Sequence, residues 1–156
     1  MINELLSAQR IFEGIPDDTL DLLWQAGRPV SFKKGEVVIE EGDTVHSLYC
    51  ILKGEVDILL PDDLEEYDDL TLVNMLVDGE CIGEYSFVDR QPASATVRAN
   101  TDLELLELPH DELRRTLEAD SQLRAQVYKN LLESLVERLR NTNIYIDYLR
   151  RSKTEH

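Results

Sequence analysis

Basic residues are scarce in this chain: 16 lysines and arginines stand against 32 acids, a formal charge of −16 over 156 residues. That balance repels a polyphosphate backbone unless the bases gather on one face. They do not gather, apart from Arg150, Arg151 and Lys153 near the C-terminus, where basic charge suits a helix end and a solvated tail. No direct nucleic-acid partner is expected. Long apolar runs are missing as well. None approaches the roughly 18 residues that cross a bilayer, and the opening MINELLSAQRIFEGIPDD carries acids where a secretory leader has a basic and then an apolar segment. The expectation is a cytoplasmic protein with no membrane contact.

Cysteine and histidine are thin too. Cys50 and Cys81 sit in the apolar runs LYCIL and ECIGE, with no CxxC or CxxH neighbour. They read as reduced core residues rather than redox or metal groups. The three histidines, His46, His110 and His156, do not supply the converging set that a metal-dependent cupin-like enzyme needs. There is no GxSxG, no phosphate loop ending in GK[ST], and no histidine placed to activate a cysteine. No catalytic residue, metal site or cofactor is assigned. The acid-rich segment PDDLEEYDDL, 61–70, matches no calcium loop with defined ligand positions and reads as a solvated hairpin loop.

What is present is enough for one domain spanning 1–156, since a 42% hydrophobic content allows a real core. Residues 1–29 carry helical signals, with Leu5, Leu6 and Ile11 on one stretch, then Asp17 or Asp18 as a cap before LDLLWQAG and Gly27 as a stop. From 30 to 109 the texture changes to short β-rich runs: PVSF, EVVIEE, SLYCIL, EVDILL, LTLVNML, ATVRA and LELLEL. Seven such runs, with glycines 35, 42, 54, 79 and 83 at the reversals, predict a sandwich or barrel. From 110 to 150 helical period returns, and residues 121–149 contain neither proline nor glycine. There Tyr128, Leu132, Leu135, Leu139, Thr142, Ile146 and Leu149 recur at alternating steps of four and three, the spacing of a coiled-coil stripe. Val127 and Leu131 are left to face the barrel. A stripe of nearly three heptads exceeds what a small barrel covers, so the 121–149 helix is expected to form a homodimer.

The stretches KKGEVVIEEGDTVHSLYCILKGEVDILL and LVDGECIGEYSFVDRQPASATVRANTDLELLELPHDEL resemble the cyclic nucleotide-binding domain of catabolite activator-type regulators, cAMP-dependent kinase regulatory subunits and gated channels. Gly35, Gly42 with Asp43, Tyr49, Gly54, Gly79, Gly83 with Glu84, and the run ATVRA carry that resemblance over residues 8–140. It implies a mainly β fold, a jelly-roll-like β-barrel with N-terminal helices and a long C-terminal helix. It also implies a ligand cassette at 82–97, with contacts from Ile82, Gly83, Glu84, Tyr85, Ser86, Ala93, Ser94 and Ala95. Glu84 matches the acid that accepts the ribose 2′-hydroxyl, while Ser94 and Ala95 match positions that donate to the cyclic phosphate. The local chemistry agrees: a glycine lets backbone approach an anion, and small residues leave room for a sugar.

One position departs from the pattern. The phosphate-binding arginine of the family falls at Ala93, and losing such a charge-assisted pair costs about 1.5–3 kcal/mol, roughly ten- to a hundredfold in affinity. Arg90, earlier on the same loop, is the candidate replacement. A charged turn residue faces solvent unless paired, which gives its competing placement. Arg98 lies in the following strand, where alternation with Val97 points it outward or toward a partner element. Two functions follow. One is a non-enzymatic sensor that binds a small anionic ligand, cAMP or cGMP being the implied choices, and signals through the C-terminal helix. The other is a degenerate fold that binds no nucleotide and acts as a dimerisation or docking module. Only RRSKTEH follows Leu149, so a helix-turn-helix is not expected and a separate effector protein is. In that family the base contact comes partly from the C-terminal helix at no fixed position, and Thr142 is the candidate for it in this chain.

Overall fold

The chain changes local structure where its sequence changes period. A computed structural model describes residues 2–61 and 70–154. Helix α1 (Ile2–Ser7), a 3-10 turn (Arg10–Phe12) and helix α2 (Asp17–Ala26) open it. The cap of α2 differs from the expectation: Pro16 holds the N-cap position with no side-chain cap bond, and Asp17 and Asp18 lie in the first helical turn. The fixed φ of proline presets the entry, and the two acids there oppose the positive end of the helix dipole. Gly27 ends α2 as expected, and close packing also requires a glycine there. A Cβ at this position would lie 2.9 Å from the Leu106 side chain.

Eight strands follow among the described residues: β1 (Arg28–Phe32), β2 (Val37–Ile39), β3 (Ser47–Lys53), β4 (Glu55–Pro61), β5 (Leu70–Val77), β6 (Cys81–Ile82), β7 (Thr96–Ala99) and β8 (Leu103–Pro109). The eighth beyond the expected seven is the two-residue β6, too short to show alternation. They form two four-stranded antiparallel sheets, ordered β1-β8-β3-β6 and β2-β7-β4-β5. This is the expected jelly-roll. The acidic segment assigned to a hairpin loop lies, from 62 to 69, outside the described residues.

The first sheet is apolar on both faces, and this divides the core in two. Ile51, Ile82, Leu103 and Leu105 point between the sheets and meet Ile39, Val56, Leu76 and Val97 from the second. Leu48, Cys50, Cys81, Leu106 and Leu108 point the other way, against Leu6, Phe12, Leu20 and Leu23 of the N-terminal segment. Each fully buried leucine of this kind contributes about 1.5–3 kcal/mol.

Helix α3 (Glu84–Asp89) interrupts the β-region, and α4 (His110–Glu118) and α5 (Ser121–Thr154) close the chain. Between the last two, Asp120 Oδ1 accepts from the amides of Gln122, at 2.9 Å, and Leu123, at 3.2 Å. That cap starts a new helix where α4 ends. The basic residues read as a tail are helical through Thr154. Val127 and Leu131 are buried in the outer core, the cluster that joins the outer face of the first sheet to the N-terminal helices. Along the expected stripe, Leu132, Leu139 and Ile146 are exposed, Tyr128 and Leu149 less so, and Leu135 packs partly on the outer core.

Candidate functional site

The inner core does not fill the barrel. A cavity of about 350 Å³ remains at one end, in a wall of aliphatic side chains that includes Ile39, Ile58, Leu76 and Val97. One rim is the segment after β6. Gly83 turns the chain there with φ 84°, a left-handed conformation that strains any residue with a Cβ. A Cβ would also lie inside van der Waals contact of the Ser47 carbonyl oxygen. Two independent constraints therefore fix this glycine. The turn sends α3 along the rim and brings Ile82, Gly83, Glu84, Tyr85 and Ser86 to the cavity.

Ala93, Ser94 and Ala95 form part of the same lining. The Ala93 backbone is held by Asp43, whose carbonyl accepts its amide at 2.9 Å, while Gly42 donates to the Ala93 carbonyl at 2.8 Å. Ser86 is buried, and its hydroxyl donates to the Gln91 carbonyl at 2.8 Å, so it braces the loop from within. Tyr85 is 48% exposed, and its partial burial holds the phenol above the ordinary tyrosine range.

Arg90 stands elsewhere. It caps the C-terminal end of α3 with φ 58°, is exposed, and is not among the residues lining the cavity. Arg98 is half-buried on β7, paired in register with Val37 and Asp57, on the opposite face from Val97. No arginine of the cassette itself faces the cavity.

The cation comes from α5. Arg138 lines the cavity and forms an ion pair with Glu84, and both side chains are almost entirely enclosed. Its Nη2 also donates to the Cys81 carbonyl at 2.7 Å, and its Nε is buried without a partner. Removing one member of such a buried pair costs about 3–5 kcal/mol, because the other charge is left without water or partner. Beside it, Thr142 lines the cavity and donates its hydroxyl to the Arg138 carbonyl at 2.9 Å. Nothing local in the sequence marks Arg138, which sits in ERLRN among other helix charges and meets its partner 54 residues away in sequence.

A second set of contacts fixes α3 to α4. His110 is buried, and its Nε2 donates to the Gly83 carbonyl at 3.0 Å. Arg114 donates to the Phe87 carbonyl at 3.1 Å, with its guanidinium 5.1 Å from the Phe87 ring centre. Tyr128 of α5 stacks on the same ring, centroids 6.3 Å apart. The cassette is thus held by two helices, α4 and α5. Among the described residues no group of histidines, cysteines and carboxylates is arranged to hold a metal, and no helix is long and apolar enough to cross a membrane.

The sequence pattern described as the cyclic nucleotide-binding domain matches residues 29–120. The CRP-like cAMP-activated global transcriptional regulator of Mycobacterium tuberculosis is 30% identical over 144 residues, which cover 91% of this chain and 60% of the regulator. The chain therefore spans about 60% of the length of that curated relative. The catabolite activator protein of Thermus thermophilus superposes with a TM-score of 0.72 at 25% identity, covering 91% of this chain and 63% of that one. A cyclic nucleotide-binding domain from Methylobacillus flagellatus reaches 0.79 at 24% identity, over 93% of this chain and 80% of that one, a likeness of fold. Because the pattern covers residues 29–120, more than half of the chain and including the turn that forms the cavity rim, this chain belongs to the cyclic nucleotide-binding domain family.

Proposed function

We propose that this chain is a non-enzymatic regulatory module that takes a cyclic nucleotide, or a small anionic relative, into the cavity beside residues 82–97 and reports it through α5. Arg138 is the observation that carries this reading. The cassette has alanine where its family has the phosphate arginine, and a guanidinium from α5 reaches the same cavity. A ligand phosphate would compete with Glu84 for that guanidinium, and Glu84 would turn to the ribose hydroxyl. The charge exchange acts directly on the helix that reports it. A ligand shifts an equilibrium only through contacts that differ between two states, and Arg138 supplies such a contact. A volume of about 350 Å³ lies within the range of small-molecule sites. The M. tuberculosis relative is by name cAMP-activated, which makes cAMP the first ligand to test. The exposed α5 stripe supports a homodimer, and a separate effector protein would read the helix position.

The second reading is a domain that has given up its ligand. Ala93 favours it, and so does the Arg138–Glu84 pair, in which each charge already has its partner within the protein. Calorimetry with cAMP and cGMP separates the two. The sensor reading expects binding by the wild type, weakened at least about tenfold by Arg138→Gln, strengthened by Ala93→Arg and unchanged by Arg90→Ala. Binding that appears only in Ala93→Arg establishes the degenerate reading. Loss on Arg90→Ala would move the cation role to the α3 cap.

A further inference from the structure

We propose that Cys50 and Cys81 form a redox-convertible pair, closed by a low-molecular-weight disulfide into an internal bond that staples β6 to β3 at the root of the cassette. The two residues are direct partners in the antiparallel β3–β6 pairing. Both are free, both are buried, and both belong to the outer core, so their side chains leave the sheet on the same face. The ladder fixes the kind of pair. Ile51 uses both its amide and its carbonyl toward the β6 side, donating to Glu80 at 2.9 Å and accepting from Gly79 at 3.0 Å. Alternation turns the polar groups of Cys50 the other way, toward β8, so Cys50 and Cys81 make a narrow pair without mutual hydrogen bonds. In agreement, the Cys81 carbonyl points away from β3 and accepts from Arg138. Narrow pairs hold their Cα atoms about 4.5 Å apart, inside the roughly 4.4–6.8 Å that a disulfide spans.

Access decides when the bond forms. Burial pushes both thiols up to about 12, so in the closed state neither is a thiolate able to attack. Strand β6, however, is two residues long and lies at the edge of its sheet. Short edge elements open locally at lower free energy than the whole fold. On opening, the Cys81 thiol loses its proton and attacks the small disulfide, releasing one thiolate and forming a mixed disulfide. Cys50, deprotonated in turn, attacks the Cys81 sulfur and releases the second thiolate. Two protein thiols are oxidised by two electrons, and one small disulfide is reduced to two thiols. The staple then fixes the carbonyl that Arg138 uses and the strand from which Gly83 departs. None of this depends on what the cavity binds.

The folded protein is incubated with oxidised glutathione, and its intact mass, peptide map and thermal unfolding are followed, with unfolded protein and Cys50→Ala run alongside. The expected result is loss of two hydrogen masses, a Cys50–Cys81 linked peptide, and a midpoint raised by roughly 5–15 °C through the loop that is closed. Cys50→Ala should stop at the mixed disulfide. The proposal is overturned if the folded protein keeps both thiols, or carries only mixed disulfides, under conditions in which the unfolded chain closes the bond. Closure accompanied by loss of the folded circular-dichroism signal overturns it equally.

Discussion

His110 shows how much a single side chain ties together. It starts α4, donates its backbone amide to the His46 carbonyl at 2.8 Å, and donates its Nε2 hydrogen to the Gly83 carbonyl at 3.0 Å. Donation to a carbonyl fixes the neutral tautomer with the proton on Nε2. Burial holds its pKa below the ordinary histidine value, reinforced by the nearby Arg114 and His46 charges, while the Gly83 bond and Asp111 oppose the shift. A base whose pKa is lower folded than unfolded binds fewer protons in the native state. Its contribution is therefore complete above the unfolded value of about 6.5 and is lost as pH falls below that value toward the folded pKa. The unfolding midpoint should drop between about pH 7.5 and about pH 5.5, before most carboxylates titrate. His110→Gln keeps a donor for Gly83 without a titrating ring and should flatten that drop, as read by thermal melts across the range. An equal slope in both proteins would place the pH dependence in groups other than His110.

At the scale of elements, α5 has two distinct faces. Val127 and Leu131 are 0% and 2% exposed and join the helix to the outer core, whereas Leu132 is 61% and Ile146 is 49% exposed. Leu131→Ala should cost about 2–4 kcal/mol in denaturant melts without altering association. Leu132→Glu with Ile146→Glu should leave the fold intact and turn a dimer into a monomer in light scattering at micromolar concentration. A wild-type monomer under those conditions removes the dimer altogether. Both faces were legible beforehand because helical period survives over many residues, and the barrel was legible because glycines at 35, 42, 54, 79 and 83 punctuate runs of alternating residues. All five do take positive φ. What escaped was short or distant. Strand β6 has two residues and no period, and the α2 cap lies one or two residues before the expected Asp17 or Asp18, at Pro16, whose side chain has no group to make a cap bond. Arg138 has the composition of a solvated helix charge. Only the folding of α5 across the mouth of the barrel makes it part of the cavity, and no pattern within ERLRN encodes that crossing.

The whole molecule carries −16, and its charges are distributed unevenly between inside and outside. Exposed ion pairs such as Lys33–Asp102 and Lys129–Glu133, at 3.5 and 3.8 Å, contribute little each. The enclosed Arg138–Glu84 pair is shielded from salt by the protein around it. Self-repulsion among the excess acids is therefore the electrostatic term most exposed to solvent ions, and it opposes both compaction and the approach of a second identical chain. Raising ionic strength from about 0.01 M to about 0.15 M shortens the screening length from about 30 Å to about 8 Å. The unfolding midpoint should rise over that interval, and the mass measured by sedimentation at fixed protein concentration should shift toward the dimer. The two readouts separate because the Leu132→Glu, Ile146→Glu protein retains the first response and loses the second. A midpoint that falls with salt would mean that the exposed pairs together outweigh the repulsion, and the fold would then rest on its surface network more than its geometry implies.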